Sequence, residues 1–151
     1  MKDLERIHRV KNKKFLFKVE TSEDPRDYAK YEELRLEIWG EPRDTLPGTR
    51  NMWCENFIHE GSSLFIGVYV ENMEGRFKLD KEYLVGFSYG FVGVKDKDIA
   101  FRSPDNLRFY SQYTAVRRDY QSFGLGVLIK EFQKEKLTNL FGIYTVTCTY
   151  D

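Results

Sequence analysis

Hydrophobic and polar positions along the chain follow two different periods. In five segments, apolar residues alternate with polar ones or form a short continuous run, which predicts five strands. These segments are residues 15–20, 64–70, 83–94, 107–116 and 143–150. Glu74-Gly75, between the second and third segments, indicates the turn of an antiparallel pair. Three glycines that interrupt the third segment predict bulges or a close backbone approach, namely Gly86, Gly90 and Gly93.

Three other segments carry the signals of helices. The first begins at Asp24-Pro25, where a capping side chain precedes a proline at the first helical position, and it ends at Gly40. Its apolar stripe consists of Tyr28, Tyr31, Leu34 and Ile38. A shorter helix is predicted over residues 51–59. The third helix follows two glycines, and its apolar face consists of Leu125, Leu128, Ile129 and Phe132.

The predicted elements follow the order β-α-α-β-β-β-α-β. Strands joined directly favour an antiparallel meander, whereas a strand reached through a helix lies parallel to its predecessor by a right-handed crossover. We therefore predict the α+β class with a mixed α/β sheet. A chain of 151 residues ordinarily forms one domain, and no linker or repeat interrupts it, so residues 1–151 are expected to be a single domain.

Composition excludes several classes of protein. The 24 basic and 24 acidic residues balance, so no net charge draws the chain to nucleic acid or to an anionic membrane. The sequence has neither a secretory signal nor a run of about 18 apolar residues, and we expect a cytoplasmic protein. Cys54 and Cys148 are too few for a metal cage and are expected to be reduced thiols. The basic run at 11–14 is interpreted as a solvated lead-in to the first strand.

The segment 121–126, Gln-Ser-Phe-Gly-Leu-Gly, joins an apolar strand to a helix. A helix start has unpaired N–H groups and a partial positive charge, so it suits a phosphate, and glycine lets the phosphate approach the backbone. A P-loop is excluded because Val127 stands where its lysine would, and a dinucleotide fingerprint because Ile129 replaces its third glycine. The spacing fits a coenzyme A loop. The alternative is that Gly124 and Gly126 merely permit tight packing of the helix on the sheet.

With these residues, the chain resembles the GNAT superfamily of acyl-CoA-dependent acetyltransferases. YLVGFSYGFVG (83–93) is similar to the family's third strand, TAVRRDYQSFGLGVLIKEFQKEK (114–136) to its motif A, and GIYTVTCTYD (142–151) to its next strand. Trp39-Gly40 and the end Cys148-Thr149-Tyr150-Asp151 resemble a subgroup of predicted acyltransferases whose strand ends Trp-Thr-Phe/Tyr-Asp-Pro-Leu. The resemblance is strongest over 83–151 and extends thinly to about residue 15.

The resemblance implies a GNAT-like fold and transfer of an acetyl or other acyl group from coenzyme A to a small-molecule or peptide amine, without an acyl-enzyme. The strand 114–116 would pair with the pantetheine arm, the amides of 121–126 would hold the diphosphate, and a backbone N–H near 114–116 would polarise the thioester carbonyl. The residues implied to bind acetyl-CoA are Thr114, Ala115, Val116, Gln121, Ser122, Phe123, Gly124, Leu125 and Gly126. Positions 122 and 123 often carry glycine and a basic residue in the family. Arg117 and Arg118 are the candidates to replace that cation.

The sequence does not single out a general base, and the catalytic residues are unknown. The strand 107–116 contains no Asp or Glu. The candidates that could border the acceptor site are Glu33, Glu55, Asp151, Tyr113, Ser111 and Cys148. A surface position is the alternative for the carboxylates, and core packing is the alternative for Tyr113.

The family's fold continues past the strand 143–150 with a further helix and strands. We therefore expect a domain shortened at its C-terminus, either as a fragment or by nature, or a homodimer whose partner covers the last strand. A non-catalytic acyl-CoA-binding or oligomerising module is the alternative function.

Overall fold

The computed structural model of the chain describes residues 4–22, 24–39, 63–94, 107–141 and 146–148. Its strands are β1 (Glu5–Val10), β2 (Lys13–Val19), β3 (Ser63–Val70), β4 (Leu84–Val94), β5 (Leu107–Val116) and β6 (Val146–Cys148). The α-helices in these ranges are α1 (Ala29–Trp39) and α2 (Leu125–Phe141), which follow the short 3₁₀ helices Pro25–Tyr28 and Arg118–Phe123. The helix predicted over 51–59 lies outside the described residues. Neither described helix has the length and apolar character needed to cross a membrane.

The strands form one sheet in the order in which they occur along the chain. The pairings from β1 to β5 are all antiparallel, as direct connections favour. β6 lies parallel to β5 and is reached through α2. The turn between β3 and β4 contains Gly75 at φ 75°, where the sequence predicts it. The predicted class, an α+β fold with a mixed sheet whose last strand is parallel to its neighbour, is confirmed.

The predicted order lacks one strand, β1. Val10 pairs with Lys13, and the two residues between them, Lys11 and Asn12, have φ of 50° and 67°. Positive φ at both central positions defines the type I′ turn, which suits a two-residue hairpin. The basic run at 11–14, expected as a solvated lead-in to a strand, is exposed over 11–13 and consists of the hairpin turn and the first two residues of β2.

β1 escapes prediction because its polarity is reversed. Its apolar Ile7 is exposed, whereas Arg6 and His8 face the protein. These two polar side chains pack through their flat groups: the His8 ring lies edge-on to Phe17 with 4.8 Å between centroids, and the Arg6 guanidinium lies 5.5 Å from the centre of the Phe132 ring. An edge strand rich in charge is common because it discourages pairing with other chains.

One helix covers each face of the sheet, because successive side chains of a strand point to opposite faces. The cluster under α2, formed by this helix and the sheet face that it covers, includes Phe15, Phe17, Ile66, Val68, Phe109, Leu125, Ile129 and Phe132. The cluster under α1, formed by this helix, the 3₁₀ helix before it and the opposite sheet face, includes Leu16, Tyr28, Tyr31, Leu34, Phe65, Tyr69, Phe87 and Tyr89. The apolar stripes predicted for both helices therefore face the sheet.

A pair of buried phenols stands at the centre of the face under α1. The hydroxyls of Tyr31 and Tyr69 lie 3.3 Å apart, and Tyr31 also donates to Glu20 at 3.3 Å. Burial raises the pKa of Tyr31 and Tyr69 above the usual range of a phenol, so both stay neutral. Their hydroxyls occupy the space beside Gly67, where a Cβ would lie 2.8 Å from Tyr31 Oη. A glycine is thus required in the middle of β3.

Candidate functional site

β5 bends next to the edge where β6 pairs with it. Tyr89 of β4 pairs with Tyr113, whereas the next residue, Gly90, pairs with Ser111, so Gln112 is an extra residue on β5. Such a bulge increases the local twist of a strand and bends it. It lies beside Gly90, one of the glycines that the sequence marks for this role.

The outer edge of β5 extends beyond its described pairing with β6. That pairing covers 109–111 of β5 and 146–148 of β6. From the bulge to Val116, β5 has no partner on this edge among the described residues. The segment 114–116, predicted to pair with a pantetheine arm, therefore lies on a strand edge that can make main-chain hydrogen bonds.

The connection from β5 to α2 ends in a left-handed glycine. Gly124 has φ 71° and ψ 22°, a conformation that glycine adopts without strain. The N–H of Leu128 bonds to the Gly124 carbonyl at 3.4 Å, one helical turn back. The amides of residues 125–127 therefore belong to the first turn of α2, where N–H groups lack a partner within the helix and the dipole favours an anion.

Both glycines of this connection face open space. A Cβ built on Gly124 or Gly126 meets no atom within 4 Å. At Gly86, in contrast, a Cβ would lie 3.0 Å from the Ala115 carbonyl oxygen, so this glycine permits a close approach of two strands. The alternative that Gly124 and Gly126 permit tight packing of the helix on the sheet is therefore wrong.

Phe123 turns its ring towards the core. The ring centroid lies 5.4 Å from that of Phe15 and 5.7 Å from that of Tyr120, and all three contact the cluster under α2. Above this ring lies the ammonium of Lys11, which donates to the Ser122 carbonyl at 2.9 Å. The aromatic side chain thus anchors the loop and leaves its glycine side open.

Side chains of the predicted site also hold the loop and the strand end together. Gln121 Nε2 donates to the Val116 carbonyl at 3.1 Å, so this amide joins the 3₁₀ helix to the last residue of β5. Thr114 Oγ1 lies 3.0 Å from Ser88 Oγ, which also accepts a 2.8 Å bond from the buried Gln133 on α2. These contacts fix the Thr114 side chain on the α2 face and leave its backbone at the strand edge.

A cavity of about 380 Å³ adjoins the loop on the side of α1. Its lining residues are Glu37, Ile38, Arg117, Arg118, Asp119 and Gln121. Arg117 lies 2.9 Å from the Glu37 carboxylate and donates to the Lys81 carbonyl at 3.3 Å, so its guanidinium is held by protein groups. Arg118 is exposed on the cavity wall. Of the two cations predicted to replace the missing basic residue, Arg118 is thus the one open to a ligand.

Of the carboxylates proposed from the sequence, Glu33 is the one that the described residues include, and it does not line this cavity. Glu55 and Asp151 lie outside the described residues. Glu33 is exposed on α1 and forms a surface ion pair with Lys81 at 3.5 Å. No group of three or more His, Cys, Asp or Glu within the described ranges could hold a metal ion.

The other candidates lie near the bulge. Ser111 and Cys148 are register partners in the last described pair between β5 and β6. Tyr113 stacks on Tyr89 with 6.3 Å between centroids and an interplanar angle of 19°. Tyr113 therefore packs against the aromatic face under α1, which is the core role that the sequence offered as its alternative.

A buried ion pair beneath Tyr113 was missed. Arg35 donates to both carboxylate oxygens of Glu32, at 2.6 and 3.1 Å, and its guanidinium lies 5.5 Å from the centre of the Tyr113 ring. Both side chains are buried, although removing two charges from water is costly and adds little stability. The sequence feature that could have revealed this pair is the three-residue spacing of opposite charges beside the apolar stripe of α1.

Comparison with known proteins identifies the fold. No family model and no curated protein matches the sequence. An aminoglycoside acetyltransferase from an uncultured soil metagenomic sample, solved with trehalose, matches with a TM-score of 0.63 and 12% identity over 91% of this chain and 78% of its own. An aminoglycoside N-acetyltransferase in complex with CoA matches with a TM-score of 0.62 and 12% identity over 92% and 78%. Glucosamine-6-phosphate N-acetyltransferase from Arabidopsis thaliana matches with a TM-score of 0.57 and 13% identity over 89% and 82%. At these identities the likeness establishes the fold.

Proposed function

We propose that this chain, which has the fold of the GNAT acetyltransferases, binds an acyl-CoA at the β5–α2 loop and transfers the acyl group to an amine. The observation that carries the proposal is the open space over Gly124 and Gly126 at the first turn of α2. A methyl group at Gly126 would touch no neighbouring group and would meet no backbone strain, so neither packing nor backbone conformation explains this glycine, whereas the left-handed φ of Gly124 by itself favours glycine. Exposed amides at a helix start bind anions, and the diphosphate of coenzyme A is such a group.

The strand edge and the loop suit two different parts of coenzyme A. The pantetheine arm carries two amide groups, which can pair with the backbone of residues 114–116 as an added strand would. The diphosphate then reaches the amides of residues 125–127, at the positive end of α2. In the predicted set 121–126, the first three residues lie in a 3₁₀ helix, whose N–H groups bond to carbonyls three residues earlier. The later amides are therefore the more available donors.

The bulge of β5 indicates where the acyl group would react. An arm laid along 114–116 from the loop places the thioester near the bend at Gln112. The neutral amine nitrogen attacks the thioester carbonyl carbon, a C–N bond forms and the C–S bond breaks. The nitrogen gives up one proton, and the sulfur takes up one and leaves as the thiol of coenzyme A. A backbone N–H near Thr114 would stabilise the negative charge on the carbonyl oxygen. Holding both reactants in one complex supplies much of the rate.

The acceptor is proposed as a small-molecule or peptide amine. Similar structures include aminoglycoside, glucosamine-6-phosphate and ribosomal-protein-alanine N-acetyltransferases, all of which act on amino groups by name. The cavity beside the loop carries both Glu37 and Arg118, so it can receive a ligand that bears charge of either sign.

Calorimetric titration with coenzyme A and acetyl-CoA tests binding, and release of free thiol with a panel of amines tests transfer. We expect saturable heat with both ligands and amine-dependent thiol release. Gly126→Val should abolish binding, whereas Asn139→Val, an equally β-branched change at an exposed position of the same helix, should retain it. Absence of heat at millimolar ligand would reject the proposal. Binding without thiol release for any amine would reject the transferase and leave the non-catalytic module.

A further inference from the structure

Lys11 lies beside the proposed diphosphate loop although it is distant from it in sequence. Its ammonium donates to the Ser122 carbonyl at 2.9 Å and stands 5.3 Å from the centre of the Phe123 ring. The residue occupies the first central position of the type I′ turn between β1 and β2. Since that turn permits only two residues in a restricted conformation, the hairpin places this cation at the loop.

Two positive groups meet near this loop. The ammonium of Lys11 is held by the Ser122 carbonyl and the Phe123 ring, and the first turn of α2 carries a partial positive charge. An anion at the amides of residues 125–127 would be attracted by both. An ammonium has three N–H donors, and the contact with Ser122 uses one of them, so two remain for phosphate oxygens.

No side chain of residues 121–126 carries a positive charge. Ser122 and Phe123 are uncharged, and Phe123 is committed to the core through Phe15. Arg117 is paired with Glu37 on the side of α1. The Phe123 ring contacts the Lys11 ammonium on its outer face. Phe123 therefore anchors the loop, and Lys11 supplies the positive charge.

We propose that Lys11, from the β1–β2 hairpin, contacts the diphosphate of the acyl-CoA bound at the β5–α2 loop. The inference rests on the proposed function and adds a binding residue from a strand that the sequence pattern does not reveal. Contact with a phosphate is a charge-assisted hydrogen bond, so loss of the ammonium should weaken coenzyme A binding by about three- to tenfold for an exposed side chain.

The test is calorimetric titration of the whole chain with coenzyme A at low and at physiological salt. Lys11→Met retains the apolar stem over Phe123 and removes the charge, Lys11→Arg retains the charge, and Lys13→Met is the control in the same hairpin. We expect weaker binding and a smaller salt dependence for Lys11→Met alone, because salt screens the lost attraction. Thermal unfolding without ligand checks that the hairpin remains folded.

A relocated charge makes the test decisive. Lys11→Met combined with Ser122→Lys should recover most of the affinity, since it returns an ammonium to the loop at an exposed position and leaves the Phe123 anchor in place. Absence of coenzyme A binding by the unaltered chain would overturn the proposed function and this inference together. Unaltered binding by Lys11→Met would overturn this inference alone. Equal losses in Lys11→Met and Lys11→Arg would show that the hairpin contact matters and the charge does not, which also overturns it.

Discussion

Alanine at the two loop glycines should have opposite effects on stability. Gly126 is the second residue of α2 and lies outside the left-handed region, and a Cβ there meets nothing within 4 Å. Alanine favours a helix over glycine by about 0.5–1 kcal/mol, so Gly126→Ala should raise the free energy of unfolding by that amount. At Gly124, φ 71° costs an L-residue ~1–2 kcal/mol, of which the stiffer unfolded chain offsets ~0.4–1 kcal/mol. Gly124→Ala should therefore destabilise by about 0.5–1 kcal/mol.

Coenzyme A affinity should fall in both variants, whatever the sign of the stability change. A methyl group at either position keeps phosphate oxygens from the backbone, and loss of one hydrogen bond to a charged group weakens binding by about tenfold or more. Urea unfolding measures stability, thermal unfolding should shift by ~2–4 °C per kcal/mol for a chain of this length, and calorimetry measures affinity. Two results would refute the reasoning: a destabilised Gly126→Ala, which would mean that the glycine is packed, or a more stable Gly126→Ala with unaltered affinity.

Three further expectations concern the fold that supports the site. Gly67→Ala places a Cβ 2.8 Å from Tyr31 Oη and should cost ~1–3 kcal/mol in urea unfolding; an unchanged midpoint would mean that the phenols move aside freely. The carboxylate of Glu135 accepts a hydrogen bond from an arginine of β1, which lowers the pKa of this carboxylate from the usual 4.5. Glu135 therefore stabilises the fold above pH 4.5, and this contribution is lost as the pH falls through the pKa of the folded state. Glu135→Gln should therefore be less stable than the native chain at pH 7 and equal to it in strong acid, and a gap that persists there would contradict the pairing. Arg35→Leu alone should cost ~3–5 kcal/mol by leaving a buried carboxylate, whereas the double variant with Glu32→Leu should recover most of that loss in a double-mutant cycle.

The strands and helices that bury a regular apolar face could be predicted from the sequence. The continuous apolar run over 64–70 follows from burial on both faces of the sheet, and the stripe from Tyr28 to Ile38 follows from the helical period of one buried face. The glycine turn could be found for the same local reason, since strand, loop and helix start are contiguous over 107–126. β1 could not, because two of its three inward positions are the polar residues Arg6 and His8 and its apolar Ile7 is exposed.

The contacts that shape the site were decided by the tertiary structure. Lys11 and Ser122 are 111 positions apart, and the pairing of Arg117 with Glu37 joins a loop to a helix on the other side of the sheet. The sequence determined that glycines stand at the start of α2, but the open space beside them depends on which side chains the rest of the chain brings near. A local sequence pattern determines the conformation of its own backbone. The space left open around that backbone depends on all the elements that pack near it.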